Sequence, residues 1–163
     1  MNPAQTQTDF PLFCLPVRVY YEDTDAGGVI YYANYLRFFE RCRTEWLRKI
    51  GFDQASLLRE YGMAFVVRSA SVEYLAPGRL DDLLEIELEV EKLGRAQIVF
   101  RHRALRREGA ALRELATATV QVVCVALDAM KTTPLPAALR AGLEAMRTTR
   151  KAEEENRERN VPQ

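Results

Sequence analysis

The clearest pattern in the chain is a strict alternation of apolar and acidic residues near its middle. Leu84, Ile86, Leu88 and Val90 alternate with Glu85, Glu87, Glu89 and Glu91. Successive side chains of a strand point to opposite faces, so this pattern predicts a strand with one buried and one solvated face. Runs rich in β-branched and aromatic residues predict further strands at 16–21, 64–76, 96–106 and 113–127.

One long segment has a helical period instead. Its apolar residues recur at spacings of three and four, and charged residues fill the positions between them: Tyr35, Phe39, Cys42, Trp46 and Ile50. This spacing predicts an amphipathic helix over about 33–50, closed by Gly51 in a left-handed conformation. Because the strands are joined by short turns and need cover for their apolar face, the fold class is α+β, with an antiparallel sheet packed on one long helix.

The two ends of the chain lack a regular pattern. Residues 1–14 are predicted to be a flexible lead-in, and residues 15–147 form the single domain. A short helix is expected at 137–147, after Pro134 and Pro136 have ended the sheet. The remainder, 148–163, is so rich in charged and amide side chains that we expect a disordered tail.

Composition excludes several classes of function. The chain of 163 residues carries 23 basic and 23 acidic residues, so no net charge attracts nucleic acid. Its three cysteines contain no C-x-x-C pair, which favours reduced thiols over disulfides or structural zinc. No apolar run is long enough to insert into a membrane, and no secretory leader is recognised, so we expect a cytoplasmic location.

The segment "EDTDAGGVIYYANYL", residues 22–36, is unusually dense in acids, glycines and aromatics. Glu22, Asp23 and Asp25 could approach a hard cation, but they are too few for a metal site and no 12-residue calcium loop surrounds them. The only histidine, His102, lies on a distant strand and is expected to be an ordinary satisfied polar group. Neither a metal site nor a serine or cysteine triad is therefore predicted.

A carboxylate can perform carbonyl chemistry without a histidine. Asp25 is the candidate, because an ionised aspartate can attack a carbonyl or activate water as a general base. Gly27 and Gly28 would let a substrate approach the backbone closely. The free N–H groups of the following helix could stabilise an oxyanion. A structural alternative stays open, in which the acids merely cap the helix.

These residues resemble a known family. The segment "VRVYYEDTDAGGVIYYANYLRFFERCRTEWLRKIGF", residues 17–52, resembles the opening of hotdog-fold acyl-CoA thioesterases of the 4-hydroxybenzoyl-CoA thioesterase family, especially the Tol-Pal-associated branch. The likeness continues through "AFVVRSASVEYLAPGRLDDLLEIELEV" and "VVCVALDAMKTTPLP", and so spans about 15–137.

The resemblance implies a long central helix wrapped by an antiparallel sheet of five to six strands. It also implies homodimers or homotetramers with active sites at the dimer interface. The implied reaction is hydrolysis of a short-chain, medium-chain or aromatic acyl-CoA, with Asp25 as catalytic carboxylate and the backbone N–H of Tyr32 polarising the thioester carbonyl. No separate cofactor is implied, since coenzyme A is part of the substrate.

The resemblance leaves two features of the site open. Many members of the Tol-Pal-associated branch carry histidine where this chain has Tyr32, so substrate preference is open. A competing hypothesis is a hotdog scaffold that binds acyl carrier protein or envelope machinery and has lost its activity.

Lys92 and Arg95 are predicted to receive the coenzyme A phosphates, with Arg68 and Arg79 as weaker candidates.

Overall fold

A computed structural model describes residues 9–159 of the chain. Within that range an antiparallel sheet packs around one central helix, and two further helices are described. The elements in chain order are β1 (Phe13–Arg18), a 3-10 turn (Tyr21–Asp23), α1 (Asn34–Lys49), α2 (Gln54–Tyr61), β2 (Met63–Tyr74), β3 (Leu83–Leu93), β4 (Gln97–Glu108), β5 (Ala111–Ala126), β6 (Lys131–Thr132) and α3 (Ala137–Arg159). The predicted α+β class is confirmed.

The strand order in the sheet is β1-β3-β4-β5-β2, with the short β6 also paired to β5. All of these pairs are antiparallel. The consecutive strands β3, β4 and β5 form the predicted meander, and Gly109, at φ +61°, makes the tight turn between β4 and β5. Strand β2 precedes β3 in the chain but pairs with β5, so the β2–β3 connection crosses the sheet and leaves β2 at an edge.

Helix α1 lies on the apolar face of the sheet, as the resemblance implies. Its Cys42 thiol donates a hydrogen bond to the Ile86 carbonyl in β3 at 3.4 Å. The Trp46 ring meets the Phe100 ring of β4 edge-on, with centroids 5.2 Å apart. Each of these side chains is buried. The helix ends at Lys49, and Gly51 has the predicted left-handed conformation, with φ at +92°.

Helix α2 is an element that the sequence analysis did not predict. It is only eight residues long, too short for its apolar period to stand out. Its signals are at the ends: the Asp53 carboxylate accepts a hydrogen bond from the Ser56 N–H at 2.8 Å, and Gly62 closes the helix with φ at +61°. A capping residue and a closing glycine of this kind mark a helix even when its interior does not.

The ends of the domain extend further than predicted. Strand β1 begins at Phe13, before the predicted boundary at residue 15. Helix α3 continues from Ala137 to Arg159, where a helix ending at 147 and a disordered tail were expected. Charged residues also suit an exposed helix, because oppositely charged side chains one turn apart stabilise it, as Glu155 and Arg159 do here. Residues 1–8 and 160–163 lie outside the described range.

Helix α3 also makes contacts with the start of the described chain. The Arg147 guanidinium lies 4.8 Å from the centre of the Phe10 ring, and Lys151 forms an ion pair with Asp9 at 3.6 Å. These contacts hold the segment before β1 against the helix. None of the helices in the described range is both long enough and apolar enough to cross a bilayer.

Candidate active site

The crowded segment folds as a tight hairpin between β1 and α1. The Asp25 N–H donates to the Val29 carbonyl at 2.9 Å, and the Gly28 N–H donates back to the Asp25 carbonyl at 3.0 Å. Thr24 and Ile30 pair as isolated antiparallel bridge partners just outside this turn. Gly28 has φ at +74°, which non-glycine residues adopt only with strain. The hairpin therefore presents Asp25 at an exposed tip.

The Asp25 carboxylate is oriented by its own loop. Its Oδ1 accepts a hydrogen bond from the Gly27 N–H at 2.8 Å. A Cβ atom at position 27 would lie 3.1 Å from that same oxygen, so any side chain there would crowd the carboxylate. In the described chain Oδ2 has no hydrogen-bond partner. One oxygen is therefore held, and the other is available for a substrate or a water molecule.

Asp23 has a different role from Asp25, although the two are separated by one residue. Its side chain is buried, where its Oδ1 accepts from the Asn34 Nδ2 at 2.5 Å and its Oδ2 accepts from the Tyr20 N–H at 2.8 Å. These bonds tie the hairpin to the first residue of α1. Within the described residues, no cluster of three or more histidine, cysteine or acidic side chains could hold a metal ion.

The start of α1 is not capped by either acid. The residue before the helix is Ala33, and no side chain accepts a hydrogen bond there. Asp23 instead binds the Asn34 side chain, and the bond from the Gly27 N–H to Asp25 is an Asx turn, so the loop has the turn of the structural alternative but not its helix cap. In the described chain no protein acceptor lies within hydrogen-bonding reach of the Tyr32 N–H. This donor, beside the positive end of the helix dipole, is available to an oxyanion.

Strand β2 holds the carbonyl group of Tyr32 in place. The Tyr74 hydroxyl donates to the Tyr32 carbonyl at 2.9 Å, and the two rings meet edge-on. Burial, followed by the neighbouring Tyr32 phenol, raises the pKa of Tyr74, so this hydroxyl keeps its proton and remains a donor at neutral pH. The Tyr32 side chain itself is 62% exposed. The Tyr32 N–H belongs to the preceding peptide, which is held by a hydrogen bond from the Asn34 N–H to the Tyr31 carbonyl at 2.8 Å.

Asp25 and Tyr32 lie on opposite arms of the hairpin. Asp25 faces Val29 across the turn, and Tyr32 follows Val29 by three residues, in the turn that leads into α1. A carbonyl carbon attacked by a carboxylate must approach it to about 3–3.5 Å. Both groups belong to the same hairpin, one on each side of its turn.

Of the predicted phosphate-binding residues, Lys92 and Arg95 do not lie near this hairpin in the same protomer. The hairpin adjoins the beginning of β3, where Val19 donates to Asp82 at 2.9 Å. Lys92 lies near the far end of β3, and Arg95 lies in the turn after it. Ten residues of strand separate the two ends of β3 by about 30 Å.

The weaker candidate Arg79 lies closer to the hairpin. Its backbone pairs with Val29 in an isolated antiparallel bridge. Arg68, the other candidate, is the extra residue of a bulge between Val67 and Ser69 in β2, and its side chain is exposed. Arg79 is thus the predicted cation that the fold brings beside the glycines of the loop.

His102 is a buried structural residue, as the sequence analysis expected. Its ring stacks on Phe39 with centroids 4.8 Å apart. Nδ1 lies 3.1 Å from the Glu87 carbonyl, and Nε2 lies 3.2 Å from an Arg43 Nη atom. Nδ1 must donate to the carbonyl, so Nε2 carries the lone pair that accepts from Arg43. Burial, followed by the Arg43 charge, lowers the pKa of His102 to about 3, so the ring is neutral at physiological pH.

Gly78 is a site residue that the sequence analysis treated only as a turn. Its carbonyl accepts from the Ile30 N–H at 2.8 Å, and a Cβ atom at position 78 would lie 2.3 Å from the Ile30 side chain. A side chain at position 78 would displace the buried Ile30 side chain, so glycine suits this close approach. The dipeptide Pro77-Gly78 signals a turn but contains no sign of the partner that it approaches.

The chain is similar to several known thioester hydrolases. A family model described as the thioesterase superfamily matches residues 27–112. An acyl-CoA thioesterase, YbgC, from Haemophilus influenzae is 47% identical over 135 residues, covering 83% of this chain and 96% of that protein. The acyl-CoA thioester hydrolase YbgC of Escherichia coli is 52% identical over 125 residues, covering 77% of this chain and 90% of that protein.

A crystal structure of a mutant 4-hydroxybenzoyl-CoA thioesterase in complex with 4-hydroxybenzoyl-CoA matches the fold. The TM-score is 0.76 at 20% identity, and the match covers 81% of this chain and 98% of that one. The antiparallel sheet wrapped around α1 is therefore the hotdog fold, the architecture of a class of thioester hydrolases. The chain belongs to the thioesterase superfamily.

Proposed function

We propose that this protein hydrolyses acyl-CoA thioesters to free acid and coenzyme A. The observation that carries the proposal is the pairing of an exposed, oriented carboxylate on Asp25 with an unoccupied backbone donor at Tyr32. The YbgC proteins of H. influenzae and E. coli are named for this activity. Asp25 lies just before the range that the family model matches, so its role is argued from the geometry of the hairpin.

In the proposed reaction the thioester carbonyl lies between the two arms of the hairpin. Its oxygen accepts from the Tyr32 N–H, which stabilises the negative charge that develops as the carbonyl is attacked. The free Oδ2 of Asp25 either attacks the carbonyl carbon itself or takes a proton from an attacking water. Collapse of the tetrahedral intermediate breaks the carbon–sulfur bond and expels coenzyme A as the thiolate, which takes back the proton that Asp25 removed from water or, after direct attack, takes one from solvent. An anhydride formed by direct attack is then hydrolysed by water.

We further propose that the active form is a homodimer or homotetramer with sites at the subunit interface. Strand β2 supports this proposal because it is a sheet edge whose outer side has no partner in the described chain. Val66 and Val67 on this strand are 38% and 54% exposed. Such an edge is a template for pairing with a second chain. A second copy could also bring Lys92 and Arg95 toward a site from which they are distant in their own protomer, whereas Arg79 would serve its own hairpin.

The proposed location is the cytoplasm, and the proposed reaction needs no cofactor beyond the coenzyme A of the substrate. The acyl group could also be delivered on acyl carrier protein, whose carrier arm ends in the same thioester. The substrates proposed are short-chain, medium-chain or aromatic acyl groups. Tyr32, in place of histidine, leaves the oxyanion donor unchanged because that donor is a backbone N–H.

The test is release of free thiol from acyl-CoA thioesters of graded chain length, together with benzoyl-CoA and octanoyl-acyl carrier protein. Asp25→Asn keeps the size of the side chain and its ability to accept from the Gly27 N–H, but removes the charged nucleophile or base. We expect kcat to fall at least about a hundredfold. Glu22→Gln, at an exposed acid of the same segment, is the matched control and should keep wild-type turnover.

Equal turnover by Asp25→Asn and wild type would refute the mechanism. No thiol release from any thioester, combined with retention of acyl carrier protein on the immobilised chain, would favour the scaffold alternative over the enzyme. The preference between coenzyme A and acyl carrier protein is measured as the ratio of kcat/KM for octanoyl-CoA and octanoyl-acyl carrier protein at the same enzyme concentration.

A further inference from the structure

The peptide that carries the Tyr32 N–H is held by the first residue of α1. The carbonyl of this peptide, on Tyr31, accepts a hydrogen bond from the Asn34 N–H at 2.8 Å. Because a trans peptide is planar and its N–H and C=O point in opposite directions, this bond directs the Tyr32 N–H away from the helix. The direction of the donor is therefore set by the position of the Asn34 backbone.

The Asn34 backbone is fixed in turn by a buried side chain. Asn34 is only 5% exposed, and its Nδ2 donates to Asp23 Oδ1 at 2.5 Å. Asp23 is 3% exposed, and its Oδ2 accepts from the Tyr20 N–H at 2.8 Å. A bond from an amide to a buried carboxylate is charge-assisted, and breaking it leaves a buried charge without that partner. The two side chains therefore hold each other firmly in place.

Asp23 also holds the other side of Tyr31. The Asp23 backbone carbonyl accepts from the Tyr31 N–H at 2.8 Å, so Asp23 and Asn34 together bind both backbone groups of Tyr31. We call these two residues the Asp23–Asn34 clamp. Asp25 follows Asp23 by two residues. The clamp therefore fixes the donor peptide relative to the arm of the hairpin that carries the candidate catalytic carboxylate.

Stability of the helix start does not by itself require this arrangement. A helix start is ordinarily stabilised by a side-chain cap that accepts from N–H groups of the first turn, and Ala33 provides none. The Asn34 side chain acts as a donor instead, and its acceptor belongs to the hairpin. The clamp thus positions the helix start without occupying the Tyr32 N–H, which has no protein acceptor in the described chain.

We propose that Asp23 and Asn34 are positioning residues for thioester hydrolysis, which aim the Tyr32 N–H at the oxygen of the thioester carbonyl. This inference rests on the proposed function, in which that N–H stabilises the oxyanion. The hydrogen bond accepted by the Tyr31 carbonyl also polarises the peptide and strengthens its N–H as a donor. Because the donor acts most strongly on the charge that develops in the transition state, loss of the clamp lowers kcat more than it raises KM.

Asn34→Ala tests the clamp, because it removes the side-chain donor but keeps the backbone N–H that binds the Tyr31 carbonyl. With the best substrate of the thiol-release series, we expect kcat to fall about tenfold or more and KM to stay within about threefold of wild type. Leu139→Ala is the control for lost stability. It removes a fully buried side chain in α3, where the neighbouring Arg140 binds the Arg95 carbonyl, and it should keep the wild-type kcat.

A second measurement detects the donor directly and without turnover. The same thioester, labelled with ¹³C at its carbonyl, is bound to Asp25→Asn, and its carbonyl resonance is compared with that of the free thioester. A hydrogen bond to the carbonyl oxygen moves this resonance downfield. We expect Asn34→Ala, added to Asp25→Asn, to remove most of the shift. A general loss of stability would lower the amount of complex but would not change the resonance of the bound thioester.

A reciprocal variant keeps the proposal testable if Asn34→Ala does not fold. Asp23→Asn combined with Asn34→Asp exchanges donor and acceptor, and the new amide oxygen can still accept from the Tyr20 N–H. This pair should recover kcat to within about threefold of wild type. A folded Asn34→Ala with wild-type kcat or an unchanged carbonyl shift would overturn the proposal, as would a folded reciprocal pair with low kcat. If the wild type itself releases no thiol, the proposed function fails, and the role of the clamp fails with it.

Discussion

The single histidine of this chain makes its acid stability unusually simple to interpret. His102 is fully buried, and its pKa is lowered to about 3 from an ordinary value of 6.5. The unfolded chain therefore binds a proton on this residue below about pH 6.5, whereas the folded chain does not until about pH 3. The stability that the neutral ring contributes is complete above pH 6.5 and is lost as the pH falls toward 3.

The size of this effect follows from proton linkage. Each pH unit well below 6.5 costs about 1.4 kcal/mol of unfolding free energy. Between pH 7.5 and pH 5 the total loss is about 2 kcal/mol, because the slope develops gradually around pH 6.5. For a chain of this size the loss corresponds to a fall in Tm of about 4–8 °C.

Urea unfolding at fixed protein concentration, repeated across this pH range, measures the loss. His102→Gln is the matched variant, since its amide can donate to the Glu87 carbonyl and accept from Arg43 without titrating. Its stability should be nearly flat where the wild type declines. Glu87 does not affect the comparison. Burial raises the pKa of its carboxyl group, so its contribution to the unfolding free energy increases as the pH falls, opposite to that of His102. This contribution is present in both proteins.

The proton resonance of the His102 ring gives an independent reading without any variant. Because the chain has one histidine, one titrating signal is assigned unambiguously. A His102 signal that titrates near pH 6.5 in the folded protein would refute the buried neutral ring. The buried neutral ring would also be refuted if the unfolding free energy fell with pH equally steeply in the wild type and in His102→Gln.

Two further changes test the hairpin. Asp23→Ala leaves the buried Asn34 amide and the Tyr20 N–H without their acceptor, and should lower the unfolding free energy in urea by about 2–5 kcal/mol; an equal loss in Glu22→Ala, at an exposed neighbour, would contradict this anchoring role. Gly28→Ala should cost about 1–2 kcal/mol through its left-handed backbone. Gly109→Ala, with a similar φ in the distant β4–β5 turn, is its control, and only Gly28→Ala should reduce thiol release.

Local sequence pattern predicted the elements that bury a continuous face. The alternation along β3 and the helical period of α1 are patterns of neighbouring residues, and both elements form where expected. Helix α2 was not predicted because eight residues are too few to show a helical period of apolar side chains. The length of α3 was not predicted because a charge-rich sequence is compatible both with disorder and with an exposed helix. The contact of Arg147 with Phe10 joins remote parts of the chain and could not be read from local pattern.

In the candidate site, too, some features could be predicted from the sequence and others could not. The candidate residues Asp25, Gly27, Gly28 and Tyr32 could be selected from sequence because they are neighbours in the chain, although the hairpin that they form was not predicted. The distinction between Asp23 and Asp25 could not, since it depends on which carboxylate reaches Asn34. The separation of Lys92 from the hairpin follows from the direction in which β3 runs, and the bond from Tyr74 to Tyr32 follows from the placement of β2 at a sheet edge.

By itself, then, the amino-acid sequence determined the hydrophobic faces, the main turns and a loop with the chemistry to attack a carbonyl. The tertiary structure alone decided which acid is buried, which arginine contacts the buried neutral histidine, and which cations are near the hairpin. The physical reason is range: periodicity and turn chemistry act between neighbouring residues, whereas burial, counter-ions and strand order depend on residues far apart in the chain.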